Sequence, residues 1–199
     1  MRALRIPLVA VLIALAGWLA YQAGSALRPP PERVATVLQN PQEVGDLTLV
    51  DAATAATVTL GEAFGAHDWT LVFFGFVNCP DVCPITMAAL AETYRDLGEP
   101  DGMNVVMITV DPENDDADRV EAYVKGFHPD FDGFTGSPEQ ISAAASRFFV
   151  GYGGQDAQIV HTEAVALVDA SGRLRGVYGQ DKLRGIRTDL ADLLAGSPL

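Results

Sequence analysis

The sequence predicts a single α/β sandwich in which helices pack on a central mixed sheet. Three observations lead there. Residues 69–77 and 104–110 are continuous apolar runs of strand length, the pattern of strands covered on both faces. Each is followed by a longer stretch with apolar residues at helical spacing. Two further runs, 164–168 and 174–178, flank Asp169-Ala170-Ser171-Gly172, a turn sequence suited to an antiparallel hairpin.

The elements follow in order. Residues 47–50 and 58–60 are short strand candidates joined by small residues, an N-terminal hairpin added to the sandwich. The run 69–77 is broken by Asn78-Cys79-Pro80-Asp81-Val82-Cys83-Pro84, and a helix over 84–97 follows with Met87, Leu90, Tyr94 and Leu97 on one stripe. Asp111-Pro112 ends the strand 104–110. A helix over 116–127 then turns Val120, Tyr123, Val124 and Phe127 inward. Ser137, Pro138 and Gln140 form a helix start, with Ser137 as cap and Gln140 three residues on, and the apolar run continues to Phe149. Glycines 151, 153 and 154 mark a loop, and residues 188–194 close the chain as a helix.

Residues 6–27 carry no charge, and at about 1.5 Å per residue they reach roughly the 30 Å of a bilayer core. Arg2 and Arg5 precede them, which favours a cytoplasmic N-terminus; Trp18 and Tyr21 lie toward the outer end. The expectation is a transmembrane anchor over 1–28, a proline-stiffened linker over 29–44 and one exported domain over 45–199. That topology is single-pass in a bacterial-type inner membrane with the domain in the periplasm. The alternative is a signal peptide cleaved near the small residues 23–26, leaving a periplasmic protein.

Charge narrows the partners. The first 31 residues hold three arginines and no acid, so residues 32–199 carry 10 bases against 26 acids, a net of −16. A phosphate backbone would be repelled, which excludes nucleic acid. Two cysteines exclude a disulfide-dense scaffold. No HExxH, GxSxG or Walker pattern occurs.

The chemistry is concentrated at Cys79 and Cys83, at the junction of the strongest strand with its helix. If one helical turn holds both, their i,i+4 spacing puts the sulfurs on one face. If Pro84 opens the helix, Cys83 is the cap and Cys79 lies in the loop. Helix-terminal N–H groups favour thiolates in either case. Metal binding, catalytic thiol exchange and an inert bridge are all compatible with the spacing. Two thiolates plus an imidazole suit a soft, low-coordination ion such as Cu(I) better than four-coordinate zinc. Among the histidines, His161 lies in a loop leaving the sheet and is the strongest third ligand; His67 sits in a turn and His128 at a helix end. Asp111, at the adjacent strand end, is placed to approach the cysteine loop, and Asp81 is a cap or turn residue beside the thiols.

These residues together resemble the Sco/SenC family of copper chaperones and cytochrome oxidase assembly proteins. Gly75-Phe76-Val77-Asn78-Cys79-Pro80-Asp81-Val82-Cys83-Pro84 is similar to the family's GFTxCPDVCP segment, Val110-Asp111-Pro112-Glu113 to its VDPE, and Phe134-Thr135-Gly136 to its LTG. His161 and the later Val168-Asp169-Ala170-Ser171-Gly172 resemble its histidine and VDPxG hairpin. The similarity covers about residues 45–195. Departures include Val77 for threonine, Ala170 for proline and Asn114-Asp115-Asp116 for an arginine-Asp-Thr run. The resemblance implies a thioredoxin-like fold. It implies copper, as Cu(I) with Cu(II) as the second form, held by Cys79, Cys83 and His161 with Asp111 in support; Asp81 is a supporting candidate by its position beside the thiols, as a cap, turn residue or direct ligand. It also implies partners: the copper-centre subunit of cytochrome c oxidase, other periplasmic copper chaperones or thiol reductants, and the membrane through the N-terminal helix. Two activities follow, delivery of Cu(I) or thiol-disulfide exchange with the recipient at Cys79 and Cys83.

Overall fold

The computed structural model describes residues 11, 13–19, 33–153 and 160–199, apart from the side chains of Val160 and His161. The chain divides into two compact units, Met1–Glu32 and Arg33–Leu199.

In the first unit, residues 11 and 13–19 are helical. Among the described residues no helix is long and apolar enough to cross a membrane. The expected transmembrane anchor, with the single-pass topology and the membrane contact built on it, is therefore not sustained. The rest of the expected 6–27 span lies outside the described residues.

The second unit is built on one mixed eight-stranded sheet, in the order β1-β10-β9-β4-β5-β6-β2-β3. At its centre, β4 (Trp69–Gly75) and β5 (Met103–Thr109) run parallel in register, Trp69 opposite Met103 and Gly75 opposite Thr109. Leu71, Val72 and Phe73 in β4 and Val105 to Ile108 in β5 are fully buried, as continuous apolar composition predicts for strands covered on both faces. On the far side of β4, β9 (Ala164–Asp169) pairs antiparallel and turns through Gly172 into β10 (Arg173–Gly179). Beyond β5, β6 (Asp132–Thr135) continues the parallel set. The expected N-terminal hairpin is present as β2 (Thr48–Asp51) and β3 (Thr57–Thr59), on the edge past β6.

A short helix α1 (Leu60–Phe64) follows β3 under a capping box between Thr59 and Glu62. Next come α2 (Val82–Asp96), α3 (Ala117–Lys125), α4 (Pro138–Arg147) and, after a 3-10 turn over Gln180–Gly185, α5 (Ile186–Leu194). Asp116 caps α3, and Ser137 with Gln140 forms the expected capping box on α4. Phe148, just past α4, packs on Phe74 of the sheet at 5.2 Å between ring centres.

The linker expected over 29–44 is instead largely structural. Thr36–Glu43 forms β1, the edge strand beside β10, with a register shift between Val37 and Gln42. An edge position tolerates Pro41 because one side of the strand needs no ladder donors. Just before it, the Val34 and Ala35 N–H groups donate to the buried Asp189 carboxylate at 3.1 and 2.8 Å, fastening the chain's entry to α5.

Candidate functional site

Loops that depart from the carboxyl ends of two adjacent parallel strands are fixed by the sheet. The strands β4 and β5 are such a pair. The Val110 N–H donates to Gly75 O at 2.8 Å, holding the departing backbones together. From Gly75 the chain turns through Phe76 to Cys79, whose N–H donates to Phe76 O at 3.2 Å, and enters α2 at Val82.

Cys83 is thus the second residue of α2 and Cys79 lies in the loop before it, so the pair does not share a helical turn. Both are thiols rather than a disulfide. The Cys83 N–H donates to Cys79 Sγ at 3.4 Å. That sulfur serves one of the donors left open at a helix start, where an aspartate or serine oxygen is the usual acceptor. Asp81 holds the cap position but makes no side-chain cap bond, and it is exposed. The two thiols are unequal. Cys79 is half-buried and Cys83 fully buried. Burial, reinforced by the hydrogen bond with Cys79, pushes the Cys83 thiol well above its ordinary pKa. Its sulfur packs over Gly75, where a Cβ would stand 3.3 Å from Sγ and 2.7 Å from the Phe73 ring. Only glycine admits both neighbours.

Asp111 follows β5 as expected and is buried, but its carboxylate is taken locally: Asn114 Nδ2 donates to both oxygens at 3.0 and 3.1 Å. His161 lies in β8 (Val160–His161), paired with β7 (Tyr152–Gly153) as a separate two-stranded ribbon in which Tyr152 faces His161. Its backbone is therefore strand rather than loop, and its side chain lies outside the described part. The other histidines stand at the opposite end of the sheet. His67 Nδ1 contacts Asp101 O at 2.8 Å, before β5. His128 is buried against Tyr94 and Phe131, before β6, where its Nδ1 accepts the Asp130 N–H at 3.2 Å. Neither approaches the cysteine loop.

The sequence reading missed Asp115. It is fully buried, and its Oδ2 accepts the Val77 N–H at 2.9 Å and the Thr109 hydroxyl at 2.7 Å. Burial pushes its carboxyl up, against those two hydrogen bonds. Asn114-Asp115-Asp116 reads as a solvated helix start, and nothing in the pattern marks its middle residue as internal.

A thioredoxin-like mixed sheet with a thiol pair at a strand-to-helix junction defines a class of domain. Within it, the SCO1/SenC family matches residues 37–194, and the chain belongs to that family. It is 32% identical over 174 residues to the human mitochondrial protein SCO2 homolog, covering 83% of this chain and 64% of that protein. To the mouse mitochondrial SCO2 homolog it is 34% identical, with 83% and 67% covered. The chain thus spans about two thirds of the length of these relatives. Among solved structures, apo Sco1 from Thermus thermophilus superposes with a TM-score of 0.68 at 35% identity, covering 82% of this chain and 96% of that one. Copper-bound ScoI from Arabidopsis thaliana superposes with a TM-score of 0.68 at 28% identity, covering 79% and 98%.

Proposed function

We propose that this protein handles copper in the assembly of cytochrome c oxidase and that Cys79 and Cys83 are its working groups, exchanging a disulfide with the copper-receiving protein. The observation that carries this reading is the asymmetric pair itself: an accessible sulfur held at 3.4 Å from the N–H of a buried cysteine four residues on. In the exchange, the Cys79 thiolate attacks one sulfur of the recipient's disulfide, forming a mixed disulfide and releasing one recipient thiolate. The Cys83 thiolate then attacks Cys79, closing the Cys79–Cys83 disulfide and releasing the second. Two electrons pass to the recipient, whose cysteines become competent to accept metal. Burial disfavours the Cys83 thiolate in the folded domain, which fits a resolving rather than an attacking role.

A second reading is favoured by the donor set. Two sulfurs at one helix start, with an imidazole from the β7–β8 ribbon, suit Cu(I) as cargo, and the Arabidopsis relative holds copper. Here reduced Cys79, Cys83 and His161 would carry the ion, with Asp111 holding the neighbouring strand end and exposed Asp81 at the rim. Formation of the disulfide would remove both thiolate ligands, so carriage and exchange draw on one pair. The deciding experiment mixes the reduced protein with an oxidised apo copper-centre domain, with and without Cu(I), and follows recipient thiols and recipient metal separately. Thiols that appear without copper support exchange. Metal passing to a recipient already reduced supports delivery, and neither event counts against both readings.

A further inference from the structure

Asp115 gathers the ends of three neighbouring strands. Its Oδ2 accepts from Val77, two residues beyond β4, and from Thr109, the last residue of β5. Its carbonyl accepts the hydroxyl of Thr135, the last residue of β6, at 2.9 Å, and its N–H donates to Asp111 O at 2.9 Å. The Val77 N–H has left the β4 ladder and is part-buried, so it needs an acceptor from elsewhere in the fold. The carboxylate supplies that acceptor two residues before Cys79. From Val77 the backbone has only the Phe76–Cys79 turn in which to bring the Cys79 sulfur over the start of α2. A second tie, Arg119 Nη2 to Asn78 Oδ1 at 3.1 Å, is exposed and correspondingly weaker. The other carboxylate oxygen, Oδ1, is buried with no hydrogen-bond partner among the described residues. Burying it is a cost that a helix start alone does not require, because Asp116 already caps α3.

We infer that Asp115 is a positioning residue for the thiol pair: its carboxylate fixes the backbone at Val77 so that the Cys79 sulfur lies against the Cys83 N–H. This deepens the function proposed above and rests on the thiols being its working groups. A helix-start N–H aimed at a sulfur favours the thiolate and hence its reactivity. A loop freed at Val77 loses that aim while both thiols remain in the chain.

The test is the rate of Cys79 alkylation by iodoacetamide in the reduced protein at neutral pH, followed by mass spectrometry. Near-UV circular dichroism reports the fold of each variant. Asp115→Ala should slow the reaction roughly tenfold. Asp115→Asn, which keeps an acceptor in place, should stay within about twofold of the parent. A folded Asp115→Ala variant with the parent's rate overturns the inference, as does Asp115→Asn reacting as slowly as Asp115→Ala. If Asp115→Ala does not fold, Asp115→Asn and hydrogen exchange at Val77 in the unmodified protein decide. Protection there with a parent-like rate in Asp115→Asn upholds it; exchange at the rate of an open loop overturns it. Neither readout uses copper or a recipient, so failure of the proposed function and failure of the Asp115 role are separate results.

Discussion

The Cys83 N–H points at the Cys79 sulfur across 3.4 Å, so the loop cysteine caps the helix that begins between them. One consequence is a built-in order of reactivity. With Cys79 half-buried and Cys83 fully buried, a neutral alkylating agent should label Cys79 at least about tenfold faster at pH near 7. Peptide mapping after timed quenching measures both rates in one sample. Equal labelling would mean that the helix start opens faster than the reagent reacts.

Gly75 should be intolerant of any side chain. A Cβ there meets the Phe73 ring of the sheet at 2.7 Å and the Cys83 sulfur of α2 at 3.3 Å, both fully buried. Gly75→Ala should cost about 1–3 kcal/mol, the usual range for overpacking a filled core. Urea titration gives the loss. Because one of the two obstructing groups is Cys83, the variant should also lose protection of that thiol from alkylation, which a remote core defect of equal cost would not cause.

Asp189 fastens the entry of the chain. It is buried and accepts from two successive N–H groups, Val34 and Ala35. Asp189→Ala removes two charge-assisted hydrogen bonds and should destabilise the domain by about 2–4 kcal/mol. Its signature should be local as well as global: faster hydrogen exchange through 34–43, where β1 loses its anchored end. Unchanged exchange there would show β1 held by β10 alone.

Much of this architecture is legible in the sequence, and the exceptions share physical causes. The strands β4 and β5 are read because both faces are buried and their composition is therefore uniform. The start of α4 is read because Ser137, Pro138 and Gln140 satisfy the helix's open donors in a pattern that local chemistry dictates. In contrast, β1 is an edge strand whose TVLQNPQE is largely exposed, with only Val37 and Leu38 partly buried against the core, too few to mark a strand. The strand β6 has four residues, one of them Gly133, and its β character comes from pairing with β5 and β2. The two cysteines are legible as a pair because they are the only thiols in the chain. Asp115 is not, because its burial follows from three strand ends meeting at one point, a tertiary fact with no local period. The 6–27 stretch is the converse case: an uncharged apolar run of the right length suggests a membrane span, and among the described residues no helix is long and apolar enough to make one.

Acid sensitivity should concentrate at the β9–β10 turn. Burial opposes ionisation of Asp169, but hydrogen bonds from Ser171, Arg175 and the Arg173 backbone prevail and hold its carboxyl below the ordinary value. A carboxyl with a lowered folded-state pKa lends stability that is fully present above its unfolded value, about 3.9, and is lost as pH falls through the folded value. Asp169→Asn should therefore be less stable than the parent at neutral pH, with the deficit narrowing as the pH drops below about 4. Thermal unfolding across that range is the measurement. A gap that stays constant would assign the deficit to lost packing instead of ionisation.

His161 separates the two proposed activities. The proposed copper site sets a nitrogen donor beside the thiolates, whereas disulfide exchange needs only the sulfurs and a route to them. His161→Ala should therefore weaken Cu(I) retention by at least about tenfold, read by competition with a chromogenic chelator. The same variant should reduce a model disulfide at a rate within about twofold of the parent. Cys79→Ser and Cys83→Ser should each abolish completed exchange, and only Cys83→Ser should accumulate a mixed disulfide, because it keeps the attacking sulfur and lacks the resolving one. Parent-like copper retention in His161→Ala would leave the two sulfurs as the whole metal site. A collapse of exchange in that variant would instead give the imidazole a part in thiol chemistry, as the base or positioning group for Cys79.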